Sequence, residues 1–139
     1  MIEREFSMRL TGTYEGDSNT IGRLEVDQRI DGAWQPLELG TSSPGFDIFV
    51  YSLFTCQHMY FRANCAERGL VLDSAEGSIF IGTRNDWKIE TLQVSFSGLL
   101  CRGKASQDDI DYIVSRMKQC PVSRNLREIP DAGSTVTLR

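Results

Sequence analysis

The sequence predicts an α+β fold in which antiparallel strands wrap one long central helix, and three observations carry that expectation. Between Gly45 and Gly69 there is neither Pro nor Gly, so one long helix is the natural conformation of that stretch. After Gly69 the apolar pattern changes to period two over residues 70–80 and 87–100, the signature of paired strands. The elements then follow one another as strands, long helix, strands, helix, strand, the order of an α+β domain built on antiparallel strands.

Each element has a local reason. Residues 5–14 alternate loosely and read as a strand, with Gly12 or residues 15–19 as the turn. Residues 21–30 make a second strand, with Ile21, Leu24 and Val26 as its apolar positions. Asp31-Gly32 is a turn signal. Residues 34–39 form a short third strand, and residues 40–45 a loop into the helix. The first half of that helix, residues 46–54, is apolar or aromatic nearly all round. Such a helix has no face to give to water and must be wrapped. One small sheet covers it poorly, so a homodimer in which two such helices share their wrapping is expected. Residues 70–80 and 87–100 form a hairpin that turns at residues 84–86. Leu92, Val94, Phe96 and Gly98 alternate there against polar or small neighbours. Ser106 caps a second helix with Asp108 and Asp109 in its first turn, the sign the helix dipole prefers. Ile110, Ile113, Val114 and Met117 are its apolar stripe. Cys120-Pro121 breaks it, residues 121–126 can start a short helix with Pro first, and residues 134–138 are a last strand.

The totals bound the function. The chain has 139 residues, 40% hydrophobic and 24% charged, which fits one globular domain over residues 1–139. A net charge of −4 argues against nucleic acid or an anionic membrane as partner, because no basic field exists to steer one. The longest apolar run, residues 48–54, is too short to span a bilayer, and the N-terminus has no apolar signal core. A cytoplasmic location follows as the expectation. There, 4 cysteines are expected to be catalytic, metal-bound or inert rather than a disulfide framework. Without Cys-x-x-Cys, and with 1 His, zinc is not expected.

Cysteine chemistry needs a thiolate. Cys120 has a local means to one: it stands before Pro121 at the cap of a short helix, where free N–H groups favour an anion. The alternative is a small residue in a turn. Cys56, where the apolar half of the long helix meets the polar half, has no such neighbour. His58 lies about 200° around the helix from it, so it is not its base, and reads as a surface or interface residue. An activating charge for Cys56 must come from elsewhere; read alone, it fits a buried inert thiol. Cys65 is about 13 Å further along and out of bridging reach, and reads as packing. Cys101 reads as a strand-end thiol. Asp47 sits in the first turn of the long helix, where a carboxylate is stabilising in any case. If fully helical it lies opposite Cys56, so contact needs a bend. Arg9 and Arg23 lie on the first strands, from where a guanidinium can point into a site.

Ser43-Pro44, the acid Asp47, Cys56 in a long apolar helix, Gly69 at its end and Cys120-Pro121-Val122-Ser123 near the C-terminus together resemble the OsmC/Ohr family of thiol-dependent peroxidases. The resemblance covers roughly residues 24–138. It implies an intertwined homodimer with two sites at the subunit interface, and an antioxidant role in the stress response. It implies that Cys56 attacks the peroxide O–O bond and that Cys120 resolves the sulfenic acid as a disulfide. A cellular dithiol would then be the reductant, and no metal or organic cofactor is implied. The family pairs an acid with an Arg that polarises the thiolate. At the acid's place stands Asp47; the first loop, residues 13–20, holds no Arg, and Arg23, just past it, is the candidate. Phe46, Phe49, Phe54, Met59 and Tyr60 would give an apolar pocket for an organic hydroperoxide. Two other readings remain open: an OsmC-like domain that senses or binds with little turnover, and a hot-dog-type thioesterase using Asp47.

Overall fold

The computed structural model describes residues 1–126 and 129–139. Its elements are β1 (Arg4–Glu15), β2 (Thr20–Ile30), β3 (Ala33–Pro36), α1 (Gly45–Glu67), β4 (Val71–Arg84), β5 (Lys88–Arg102), α2 (Gln107–Met117) and β6 (Asp131–Leu138), with a 3-10 turn over Ser123–Asn125 before β6. The third strand is shorter than residues 34–39; every other expected element is present.

The strands form one six-stranded sheet in the order β3-β2-β1-β4-β5-β6. The pairings from β3 through β5 are antiparallel, as expected. β6 departs from this and runs parallel to β5. The reason is the connection: α2 carries the chain back along the sheet, the crossover that a parallel pair requires.

Strand alternation decides which face holds the core. Met8, Leu10 and Tyr14 of β1 point to one side and are buried, while Arg9, Thr11 and Thr13 between them are exposed. On β5 the same side carries Leu92, Val94 and Phe96. The helices pack on this face. α1 turns to it the stripe Val50, Leu53, Phe54, Gln57, His58 and Phe61, continued by Asn64 and Cys65. Phe96 is the centre of that contact: its ring stacks on Phe61 at 4.8 Å and 11°, and on Phe54 at 5.9 Å. Gly77, its cross-strand partner on β4, makes the room, since a Cβ there would sit 2.5 Å from Phe96 Cε1.

The ends of α1 are set by backbone chemistry. Gly69 takes φ of +72° and the Leu70 N–H donates to the Cys65 carbonyl at 2.9 Å, a left-handed C-terminal cap. Asn19, fully buried in the β1–β2 turn, donates to the Arg62 and Leu70 carbonyls and accepts from the Leu72 N–H. It pins that turn to the end of the helix. α2 starts on the expected cap, with Ser106 Oγ accepting from the Asp109 N–H and the Asp109 carboxylate accepting in turn from the Ser106 N–H.

The long helix is not covered on all sides by its own chain. Ile48 is 44% and Met59 52% exposed, and with Thr55 and Ala63 they form a stripe opposite the sheet. The apolar composition of α1 thus serves an inner face and leaves an outer one open.

A Gly77→Ala substitution is expected to destabilise the chain by about 1–3 kcal/mol, because Phe96 must leave its stacked position to admit the methyl group. Urea unfolding of the variant checks this, and an unchanged midpoint contradicts the packing described.

Candidate functional site

The two thiols singled out by sequence, Cys56 on α1 and Cys120 after α2, are brought close enough to shift each other's ionisation. Three segments bring them together. α1 presents Cys56 on its flank, partly exposed. α2 ends at Met117 beneath α1, and the Cys120 N–H continues the turn by donating to the Met117 carbonyl at 3.2 Å. The chain then bends into the 3-10 turn, and the Ser123 N–H donates to Cys120 Sγ at 3.3 Å. That geometry resembles a helix N-cap with sulfur in place of oxygen. Cys120 is fully buried.

Gln57, next to Cys56 in sequence, holds these segments in place. Its Nε2 donates to the Met117 carbonyl at 2.8 Å and to Ser123 Oγ at 2.6 Å, with Cys120 Sγ a longer contact at 3.4 Å. Its Oε1 accepts from Ser134 Oγ of β6 at 3.0 Å. An amide nitrogen has two protons, so the two short bonds take them and the sulfur contact is secondary. Ser123 Oγ, receiving from Gln57, is left to donate its own proton to Cys120 Sγ. A single buried amide therefore ties α1, the end of α2, the 3-10 turn and β6 together. Beside it opens a cleft of about 440 Å³ lined by Gln57, Leu92, Val94, Ser123, Leu126 and Ser134 among others.

The two thiols have different electrostatics. Burial pushes the Cys120 pKa up, but hydrogen bonds from the Cys56 thiol, the Ser123 hydroxyl and N–H and the Gln57 amide more than offset it, and hold Cys120 below the ordinary thiol value. Cys56 is pushed up to about 11, first by burial and then by donating its proton to Cys120, against one backbone N–H from Val122. Of the two, Cys120 is therefore the thiol that ionises more readily.

The other two expected site residues stand apart. α1 is regular from Gly45, so no bend swings Asp47 round, and it stays about 180° around the helix from Cys56. Arg23 lies on the sheet face opposite the helices: it pairs in register with Thr13, is 79% exposed and sits 3.8 Å from Glu25. Arg9 shares that outer face, bound to Asp27 at 3.0 Å and lying over Trp34. Strand alternation explains both, since odd-numbered positions of β1 and their partners on β2 face away from the core. Nor do the five apolar residues line one pocket. Phe54 is in the core, Phe46 and Phe49 join Phe6 and Trp87 at the start of α1, and Met59 points outward. Cys65 is buried, in keeping with its reading as packing, and Cys101 is exposed near the end of β5. Among the described residues no three His, Cys, Asp or Glu side chains gather as metal ligands would.

His58 corrects another expectation. It is 2% exposed, neither at the surface nor open to an interface. Its Nε2 is 2.6 Å from Tyr14 Oη, and its ring stacks on Phe96 at 5.7 Å. Burial and the nearby Arg62 guanidinium lower its pKa to about 4, and burial raises that of Tyr14. Gln57 and His58 share the signal that sequence reading missed: both fall in helical phase with Val50, Leu53, Phe54 and Phe61, on the inward stripe.

No family sequence model matches the chain, and no curated protein sequence does. Solved structures do match its fold. An OsmC-like hydroperoxide resistance protein from Jannaschia sp. CCS1 is similar at a TM-score of 0.55 and 13% identity, over 89% of this chain and 87% of that one. An OsmC-like protein from Mycoplasma pneumoniae is similar at 0.53 and 10% identity, over 94% of each chain. A protein described as hypothetical from Aquifex aeolicus VF5 is similar at 0.58 and 8% identity, over 100% and 96%.

The His58 pKa gives a stability prediction. The folded value of about 4 lies below the unfolded value of 6.5, so the unfolded chain takes up the proton first. Stability is therefore full above pH 6.5 and is lost as pH falls through about 4, by up to about 3 kcal/mol. Urea unfolding from pH 7 to 4 is expected to show this loss, and His58→Gln is expected to remove most of it. Equal pH slopes in the two proteins would contradict the assignment.

Proposed function

From an OsmC-like fold and two thiols in contact inside it, we propose that the chain reduces hydroperoxides through Cys56 and Cys120. The observation that carries this reading is the proximity of the two thiols: a partly exposed Cys56 stands beside a buried Cys120 on which the Ser123 N–H and the Gln57 amide converge. The likeness to a structure described as a hydroperoxide resistance protein supports the substrate class.

The chemistry then follows from the pair. Cys120 takes the Cys56 proton, as an adjacent base activates a nucleophile. Cys56 Sγ attacks the outer peroxide oxygen, the O–O bond breaks, and its electron pair leaves on the alkoxide, which takes that proton to become the alcohol. Cys56 is now a sulfenic acid. The Cys120 thiolate attacks its sulfur, hydroxide leaves and is protonated to water, and a disulfide closes. A dithiol restores both thiols. Asp47 and Arg23 have no part in this scheme within one chain; burial first, and then thiol, hydroxyl, amide and backbone N–H groups, set the two thiol pKa values. The open stripe of α1 around Ile48 and Met59 supports a homodimer as the working unit.

One observation favours a second reading, slow oxidation in a sensing role. A Cys56 pKa of about 11 leaves roughly one part in ten thousand as thiolate at pH 7. The rate constant for Cys56 oxidation separates the two readings, and rapid Cys56-dependent turnover with a dithiol rules out the slow one.

Peptide mass spectrometry after treatment with cumene hydroperoxide is expected to find a Cys56–Cys120 disulfide. In Cys120→Ser, Cys56 is expected to oxidise more slowly, for want of the base, and then to proceed to the sulfinic acid, for want of the resolving thiol, and Cys56→Ser is expected to abolish peroxide consumption. Finding both thiols unchanged in the wild type would overturn the proposal. For the assembly, light scattering is expected to give the mass of a dimer, and Met59→Lys to shift it toward the monomer. A monomeric wild type contradicts the homodimer.

A further inference from the structure

The donors around Cys120 have a consequence for the second half of the cycle, when the disulfide is opened. Thiol–disulfide exchange is directional: the attacking thiolate bonds to one sulfur and the electron pair of the S–S bond leaves on the other. The sulfur better able to carry that charge is the better leaving group, and the sulfur within reach of an incoming thiol is the one attacked.

Both criteria select the same arrangement here. Cys120 Sγ is fully buried, out of reach of an external reagent. Around it stand the Ser123 N–H at 3.3 Å, the Ser123 hydroxyl, and Gln57 Nε2 at 3.4 Å. These groups are fixed by bonds of their own: Gln57 by Met117 and Ser134, and Ser123 by Gln57. They stand ready before any charge forms, the condition under which hydrogen bonds stabilise a developing anion most. Cys56 is partly exposed and receives one backbone N–H, from Val122.

We propose that an external dithiol attacks Cys56 Sγ of the Cys56–Cys120 disulfide and expels Cys120 as the hydrogen-bonded thiolate. The dithiol's first sulfur forms a mixed disulfide with Cys56, and the electron pair of the old S–S bond passes to Cys120. The dithiol's second thiolate then attacks its own first sulfur, and the electron pair of the mixed disulfide returns to Cys56. The protein gains two electrons, the dithiol loses two and closes into its cyclic disulfide, and solvent exchanges the protons. Ser123 thus takes part in reduction by holding the leaving sulfur, and Gln57 by holding Ser123 in place. This inference rests on the disulfide assigned to the pair under the proposed function, but not on peroxide as its oxidant.

The test uses the full-length protein oxidised with diamide, so that peroxide reactivity is not required. The disulfide form is exposed briefly to 2-mercaptoethanol, a monothiol that stops at the mixed disulfide, and is quenched with acid and N-ethylmaleimide. Trypsin separates the two sites, because cleavage after Arg29, Arg62, Lys118 and Arg124 leaves Cys56 in fragment 30–62 and Cys120 in fragment 119–124. The mercaptoethanol adduct is expected on fragment 30–62 by at least about tenfold over fragment 119–124, with maleimide on Cys120. Adducts divided equally, or lying mainly on Cys120, overturn the proposal, as does failure of diamide to form the disulfide. In Ser123→Ala the partition is expected to fall toward parity and reduction by dithiothreitol to slow by roughly tenfold. A merely structural role for Ser123 would leave the partition unmoved, and that outcome removes the donors from the mechanism. If diamide forms the disulfide and attack falls on Cys56 while hydroperoxide never oxidises the pair, the peroxidase reading fails and this inference stands.

Discussion

The buried amide of Gln57 is the constraint on which the site depends. A primary amide taken out of water without partners costs several kcal/mol, and here four partners on three other segments meet it: the Met117 carbonyl, Ser123 Oγ, Cys120 Sγ and Ser134 Oγ. Those partners sit at element ends and at the sheet edge. Met117 is the last residue of α2, Ser123 opens a three-residue turn, and Ser134 lies on the edge strand of the sheet. Satisfying one side chain therefore fixes the register of α2 and β6 against α1, and with it the approach of Cys120 to Cys56.

Polarisation of the pair follows from the same network. Ser123 receives a proton from Gln57 and passes its own to Cys120, so the hydrogen bonds run in one direction and end on sulfur. Chains of this kind strengthen one another in a low-dielectric interior. The donors in this one are a hydroxyl, an amide and a backbone N–H, and Arg9 and Arg23 lie across the sheet. The same asymmetry holds the Cys56 pKa up at about 11 and keeps Cys120 below the ordinary thiol value.

The second polar cluster on α1 has a structural role. Tyr14 and His58 satisfy each other between helix and sheet, and Asn19 does the same for three backbone groups at the helix end. Together with Phe96 seated over Gly77, they set the height and rotation of α1 on the sheet. Rotation matters because one azimuth of this helix carries Gln57 inward, the next puts Cys56 at the flank, and a third leaves Ile48 and Met59 open.

Much of this was legible from the residues in order. The strand alternation, the helix between Gly45 and Gly69, the Ser106 cap and the break at Cys120-Pro121 are local signals, settled by side-chain period, backbone conformational limits and nearest-neighbour hydrogen bonds. The resemblance singled out Cys56 and Cys120 because their contexts are short motifs. What required the folded chain is everything that depends on relative orientation. The parallel course of β6 comes from where α2 returns the strand, the outward aim of Arg23 from the register of β1 on β2, and the distance of Asp47 from the regularity of the helix's first turn. Gln57 and His58 lay in plain view, yet a polar residue's worth at a buried position is set by partners that sequence order does not name. Local chemistry chose the elements; long-range pairing across the core chose which side chains meet.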